Sequence, residues 1–196
     1  MEEVFKISFE QKFDRKDWSV VINCGEKIKL PDGTFLNNFE SGLFKNTKFS
    51  ADKLLVFEVG DNFEVSQAIA NYCKENWTQV SELYPEIEEF KGTEFYRSPK
   101  IKLNNLEFNF WYCKEDFSCR IHKDHDFFEV HIQILGQGEM QKFFQNDENT
   151  MYYRDILSSG QTHNPFYDIN CKYPWHRYYS NSKCIWLAIE SKVIIP

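Results

Sequence analysis

Along the first sixty residues, apolar and polar positions change over in short runs bounded by turn formers. This is the pattern of strands rather than helices. Runs at 4–9, 19–23, 27–30, 34–36 and 54–59 read as strands. Pro31-Asp32-Gly33 between two of them predicts a hairpin turn, because proline presets φ and glycine accepts the left-handed conformation that closes it. The period then lengthens over 62–90. Val65, Ile69, Tyr72, Cys73 and Val80 recur at helical spacing, Asp61 and Asn62 are the candidate N-caps, and a second short helix is expected after Pro85, within 82–90. Such a helix suits a cover over one side of a sheet.

From residue 93 the strand pattern returns at 100–103, 107–113, 127–135, 139–144 and 185–189. Asn104-Asn105, Gly136-Gln137-Gly138 and Asn181-Ser182 supply turns between them. Many short strands at this spacing predict an antiparallel sandwich or barrel. The expected fold is therefore mainly β, with an elaboration of strands plus a helix over 1–92 packed on a barrel over 93–196, the two forming one compact unit.

Composition narrows the function classes. The 196 residues carry 23 Lys plus Arg against 30 Asp plus Glu, a net charge of −7 with no basic tract, so a nucleic-acid partner is not expected. No apolar run is long enough to span a bilayer, and the charged, alternating Met-Glu-Glu-Val-Phe-Lys-Ile start is unlike a secretory leader. Six cysteines (Cys24, Cys73, Cys113, Cys119, Cys171, Cys184) include no C-x-x-C pair and read as reduced, mostly buried thiols of a cytoplasmic protein. Aromatics reach 17%, enough to fill a core and also to line a cavity that stacks on a ligand.

The chemistry concentrates late in the chain. All five histidines (His122, His125, His131, His163, His176) lie in the last 75 residues. In a strand over 127–135 the side chains alternate, so Glu129, His131 and Gln133 share one face with Phe127, while Phe128, Val130, Ile132 and Ile134 share the other. Burying Glu-x-His-x-Gln without partners costs several kcal/mol, roughly 2 or more per group, so a polar cavity holding a metal or substrate is the natural surrounding. His125 and His176 complete a set of imidazoles plus one carboxylate suited to Zn, Fe, Mn or Ni. His163 reads as a loop residue. His122-x-Asp124 also opens a facial triad of the 2-oxoglutarate oxygenase kind, but His176 with Lys183 or Lys192 completes that pattern poorly.

His125-x3-Glu129-x6-Gly136 resembles the first cupin motif, and Pro174-x-His176 followed by Asn181 resembles a degenerate second one. Within that superfamily, the run from His125 to Gly136 and the later Tyr173-Pro-Trp-His176 are similar to the YhcH/YjgK/YiaL family, which includes the small β-galactosidase-associated subunit. The resemblance covers about residues 93–193. It implies a double-stranded β-helix (a jelly roll) and a divalent-metal pocket of His125, Glu129, His131 and His176, with anomerase or isomerase activity on a small sugar or sugar acid. Glu129 is the candidate base, its pKa expected to be raised by burial, and His131 or His176 is expected to shuttle the proton or to hold the metal that polarises the sugar oxygens. Arg154, Arg177, Tyr153 and Tyr178 are candidate substrate contacts, arginine being suited to a sugar-acid carboxylate. Three departures stand out. The first histidine of the usual cupin pair falls on Lys123, residues 185–190 lack the family's late-strand lysine, and the first 92 residues exceed the family's usual N-terminal portion. A binding or protein-interaction module that has lost catalysis and a metal-dependent dioxygenase are the alternative readings. Pairing of two copies through their sheets is a further expectation.

Overall fold

The computed structural model describes residues 6–103, 106–123, 125, 127–163 and 172–191. The Asn104-Asn105 turn, Asp124, Cys171, Lys192 and the first two residues of the 4–9 run lie outside the described residues. In chain order the strands are β1 (Lys6–Arg15), β2 (Ser19–Asn23), β3 (Ile28–Lys29), β4 (Phe35–Leu36), β5 (Ser41–Phe44) and β6 (Thr47–Glu58). Helix α1 (Gln67–Asn76), β7 (Thr78–Gln79) and α2 (Val80–Leu83) follow. Then come β8 (Phe95–Arg97), β9 (Ile101–Leu103), β10 (Leu106–Cys113), β11 (Phe117–Ser118), β12 (Phe128–Leu135), β13 (Gly138–Phe143), β14 (Met151–Leu157), β15 (Trp175–Ser180) and β16 (Cys184–Ser191).

Three antiparallel sheets form the layers. The N-terminal sheet runs β1-β6-β2-β5, the central sheet β12-β16-β10-β8-β7 with β9 beside β10, and the third β11-β15-β13-β14. Residues 160–163 extend the central sheet beyond β12 through the Ile132–Thr162 bridge and the Gln133 N–H to Gln161 carbonyl bond of 2.9 Å. From β10 onward the chain therefore passes repeatedly between two facing sheets: β10, β12, 160–163 and β16 in one, β11, β13, β14 and β15 in the other. That strand order is a double-stranded β-helix.

The Pro31-Asp32-Gly33 turn joins β3 to β4 as expected, with Gly33 at φ +90° and the Leu30 N–H bonded to the Thr34 carbonyl at 2.8 Å. The helix begins later than expected. Ser66 is the cap, its hydroxyl accepting from the Ile69 N–H at 3.3 Å, while Asn62 accepts from Glu64 in a local turn instead. Val80 falls past the end of α1 and opens α2.

The N-terminal strands and α1 cover the outer face of the central sheet. Val20, Ile22, Leu55, Phe57, Ala70 and Cys73 form one buried cluster with Phe108, Phe110, Tyr112, Val130, Ile132, Ile134, Leu187 and Ile189. Ser41 of β5 adds a hydroxyl bond of 2.8 Å to the Gly160 carbonyl. Gly136, turning β12 into β13, sits at φ +73°, and a Cβ there would lie 2.2 Å from the Lys183 carbonyl, so only glycine is accommodated.

Candidate metal centre

The inner face of the central sheet and the facing β15 enclose a cavity of about 350 Å³. Its walls are largely aromatic, with Phe90, Phe95, Trp111, Tyr178 and Trp186 among them. The histidines and Glu129 gather at the same cavity. Alternation along β12 turns Glu129 and His131 inward, while Val130, Ile132 and Ile134 enter the outer core. Along β15 the same alternation puts His176 and Tyr178 inside.

Three imidazoles converge. Donor atoms of His122, His125 and His176 all lie within 4.8 Å of one another. His122 is placed by a two-way backbone bridge to His176, with N···O distances of 3.0 and 2.8 Å. His176 Nδ1 lies 2.9 Å from the Pro174 carbonyl, which can only accept, so Nδ1 carries the proton and the neutral ring's Nε2 lone pair faces the centre. That Nε2 is 3.1 Å from His125 Nε2. Tyr173 steadies the group, its ring 4.9 Å from that of His125 and its hydroxyl accepting from the Glu129 N–H at 3.0 Å. A Glu129 carboxylate oxygen stands 3.8 Å from His125 Nε2, and the other 3.2 Å from His131 Nε2.

The electrostatics suit cation capture. Burial, then the neighbouring imidazoles, pushes His122 down to about 3 and His176 to about 4, so both are neutral, lone pairs available, at physiological pH. Glu129 departs from its expected raised pKa. Burial does push it up, but the charge and hydrogen bond of His131, followed by His125 and His176, outweigh that and hold the carboxyl below the usual range. The result is a pair of neutral imidazoles, His122 and His176, beside His125 and one carboxylate, with the His125 and His176 ring nitrogens facing each other at 3.1 Å. These donors fit a divalent ion of the zinc or iron type.

Of the candidate ligands read from sequence, His125, Glu129 and His176 are brought together, whereas His131 stands on the far side of Glu129. His122 is the member missed. The cupin pattern expects a histidine at 123, and the chain supplies it one residue earlier, outside any regular strand, where an added residue does not reverse the side chain. His163 lies outside the named strands, as expected of a loop residue, but it is buried, and its Nε2 accepts the His131 N–H at 2.9 Å.

The expected substrate contacts divide. The Tyr178 ring lines the cavity, while its hydroxyl donates to Gln133 Oε1 at 2.6 Å. Arg177, between two inward residues, points outward, donates from Nε to Gln141 Oε1 at 2.8 Å and pairs with Glu148. On β14, Arg154 stands 3.6 Å from Glu139, and Tyr153 lies beneath the Lys142 ammonium at 4.5 Å. Neither belongs to the cavity wall. Among the described residues, no helix is long and apolar enough to cross a membrane.

No protein-family model matches the sequence, and no curated protein does. Among solved structures, the chain is similar to an RmlC-like cupin protein from Desulfovibrio desulfuricans, at 14% identity, with 50% of this chain and 82% of that one covered and a TM-score of 0.36. An RmlC-like cupin from Shewanella frigidimarina gives 13% identity, 53% and 81% coverage and a TM-score of 0.39. An ectoine synthase from P. lautus gives 12% identity, 50% and 64% coverage and a TM-score of 0.38.

Proposed function

We propose that this protein is a metal-dependent, cupin-like enzyme that moves protons on a small sugar or sugar acid, as an anomerase or isomerase. One observation carries the reading: His122, His125, His176 and Glu129 converge on one aromatic-walled cavity that also holds His131, 3.2 Å from the Glu129 carboxylate. The likeness of the 125–136 run to YhcH/YjgK/YiaL proteins supports the sugar part of the proposal.

His122, His125 and His176 would hold the ion, with Glu129 as the fourth donor on their side. When bound, a divalent ion polarises sugar oxygens and lowers the cost of charge that develops on them. The chain does the rest. Flat indole and phenol faces receive the apolar face of a sugar ring and exclude water. Glu129, kept ionised, accepts a hydroxyl proton, and His131 stands within reach to take it onward and return it to the other face of the reaction. Fixing these groups on two packed strands supplies the orientation that a free carboxylate lacks.

The test is exchange NMR on a panel of reducing sugars and sugar acids, with the zinc- or manganese-loaded protein. Accelerated α/β interconversion, lost in Glu129→Gln with the metal retained, supports the reading. Ligand-induced shifts without faster exchange would make the protein a binder. Glu129→Gln that keeps its turnover but loses metal would confine Glu129 to coordination. A second reading, a metal-dependent dioxygenase, is favoured by the apolar stretch of wall formed by Val80, Ile87, Phe90 and Met140. Substrate-dependent oxygen consumption by the iron-loaded protein would select it.

A further inference from the structure

The cavity holds more positive charge than its own carboxylates use. Among the described residues, three Lys or Arg side chains line it: Arg97, Lys100 and Arg120. Lys100 is engaged by Glu190 at 2.6 Å and Glu107 at 3.3 Å. Glu129 faces the histidines. Arg97 and Arg120 have no carboxylate within 4.0 Å among the described residues. In a chain with 30 acidic and 23 basic residues, a partly buried arginine without an acid is an exception that asks for a partner.

Arg97 is also held in a set orientation. It lies on β8 directly across from Trp111 of β10, and Trp111 pairs in turn with Trp186 of β16. Its guanidinium carbon stands 5.5 Å from the Trp111 ring and 5.9 Å from the Tyr84 ring, and Nη1 donates to the Tyr84 hydroxyl at 3.1 Å. The remaining N–H donors are left for a ligand. Beside the fork runs a flat panel: Trp111 and Trp186 are nearly parallel, 6° apart with centroids at 6.1 Å, and Phe95 stacks on Trp111 at 5.1 Å. The outward-facing arginines named earlier, Arg154 and Arg177, already face Glu139 and Glu148.

We infer that Arg97 reads the carboxylate of the substrate, whose ring lies beside Trp111, so that the cavity selects a sugar acid over the corresponding neutral sugar. The sugar part rests on the function proposed above; the carboxylate part rests on Arg97 alone. A planar fork steadied by two rings matches a planar carboxylate bidentately, whereas a lysine would offer only a point charge. Arg120, exposed at the same cavity, adds long-range attraction without fixing geometry.

The probes are D-glucuronate, D-glucose and D-glucose 6-phosphate, titrated into the full-length zinc-loaded protein with indole fluorescence as readout. Glucuronate binds at least about tenfold more tightly than glucose, a single charge-assisted pair being enough for that. Arg97→Gln brings the two within about twofold, Arg97→Lys keeps part of the preference, and Arg120→Gln changes it by less than about threefold. An unchanged cobalt(II) absorption spectrum in both Arg97 variants shows that the fold and the centre are intact. Equal affinity for the two sugars, a preference that survives Arg97→Gln, tighter binding of the phosphate ester, or no binding of any probe overturns the inference. The two readings also fail separately. Preference for the acid in a protein that binds no cobalt leaves Arg97 standing and removes the metal centre, and cobalt binding with no preference does the reverse.

Discussion

The two faces of the central sheet are made from the same strands and do different work. Outward, Phe108, Phe110, Val130, Ile132, Ile134, Leu187 and Ile189 meet the N-terminal sheet in an apolar seam. Inward, the residues between them in the chain are Asn109, Trp111, Glu129, His131, Gln133, Trp186 and Glu190, of which Trp111, Glu129, His131, Trp186 and Glu190 line the cavity. Stability and chemistry are thus separated by a single step in sequence. A one-residue slip of β12 would exchange its two sets of side chains, and Gly136, closed in by the Lys183 carbonyl, helps to hold the register.

The sharpest way to break the comparison is to damage the outer face and watch the inner one. Ile132→Asp buries an unpaired charge and should leave no cooperatively folded protein, while Ile132→Ala should cost about 2–5 kcal/mol in urea unfolding and leave cobalt affinity nearly unchanged below the transition. The reciprocal change is His122→Ala or His176→Ala. Cobalt affinity should fall at least 100-fold, about 3 kcal/mol, with the thermal midpoint moved by only a few degrees.

A third test uses pH. His122 and His176 have pKa values in the fold near 3 and 4, below the ordinary value of 6.5, so the unfolded chain takes up protons that the folded one refuses. Stability of the chelator-treated protein is therefore full above pH 6.5 and lost as pH falls toward 4, by on the order of 1 kcal/mol per pH unit per histidine. Glu129, also depressed, adds a loss of the same sign below its unfolded value of 4.5. Unfolding at pH 7 and pH 5 should show a smaller difference in His122→Asn than in the parent.

The smallest effect concerns Asn109. It is fully buried on the inner face, beside Ala188, and neither amide atom has a hydrogen-bond partner among the described residues. Asn109→Leu should raise stability by about 1 kcal/mol in the same assay, because it removes an uncompensated amide. A loss instead would mean that the inner face also contributes to holding the fold.

What could be read beforehand follows from what is local. The alternation of β12, the hairpin at Pro31-Asp32-Gly33 and the turn at Gly136 depend on neighbours in the chain, and they were legible. Helix position was only partly so, because Asp61, Asn62 and Ser66 are all competent caps and packing of Ala70 and Cys73 chose the last. His122 was obscured by an extra residue whose effect depends on whether 119–123 is a strand. His163 and Arg97 were hidden for another reason. Their roles come from cross-strand register with 131 and 111, which nothing in a single sequence specifies. The pKa of Glu129 turned on the same kind of fact: burial was foreseeable, while the imidazole 3.2 Å away was not.

The covering of the barrel by β1–β6 and α1 has a cost for anyone wishing to trim the chain. A fragment starting at residue 93 would present a wall of Phe108, Phe110, Ile132 and Leu187 to water, and the aggregation expected of such a wall would mask whatever its histidines can still do. The half that carries the histidines is in this sense upholstered by the other.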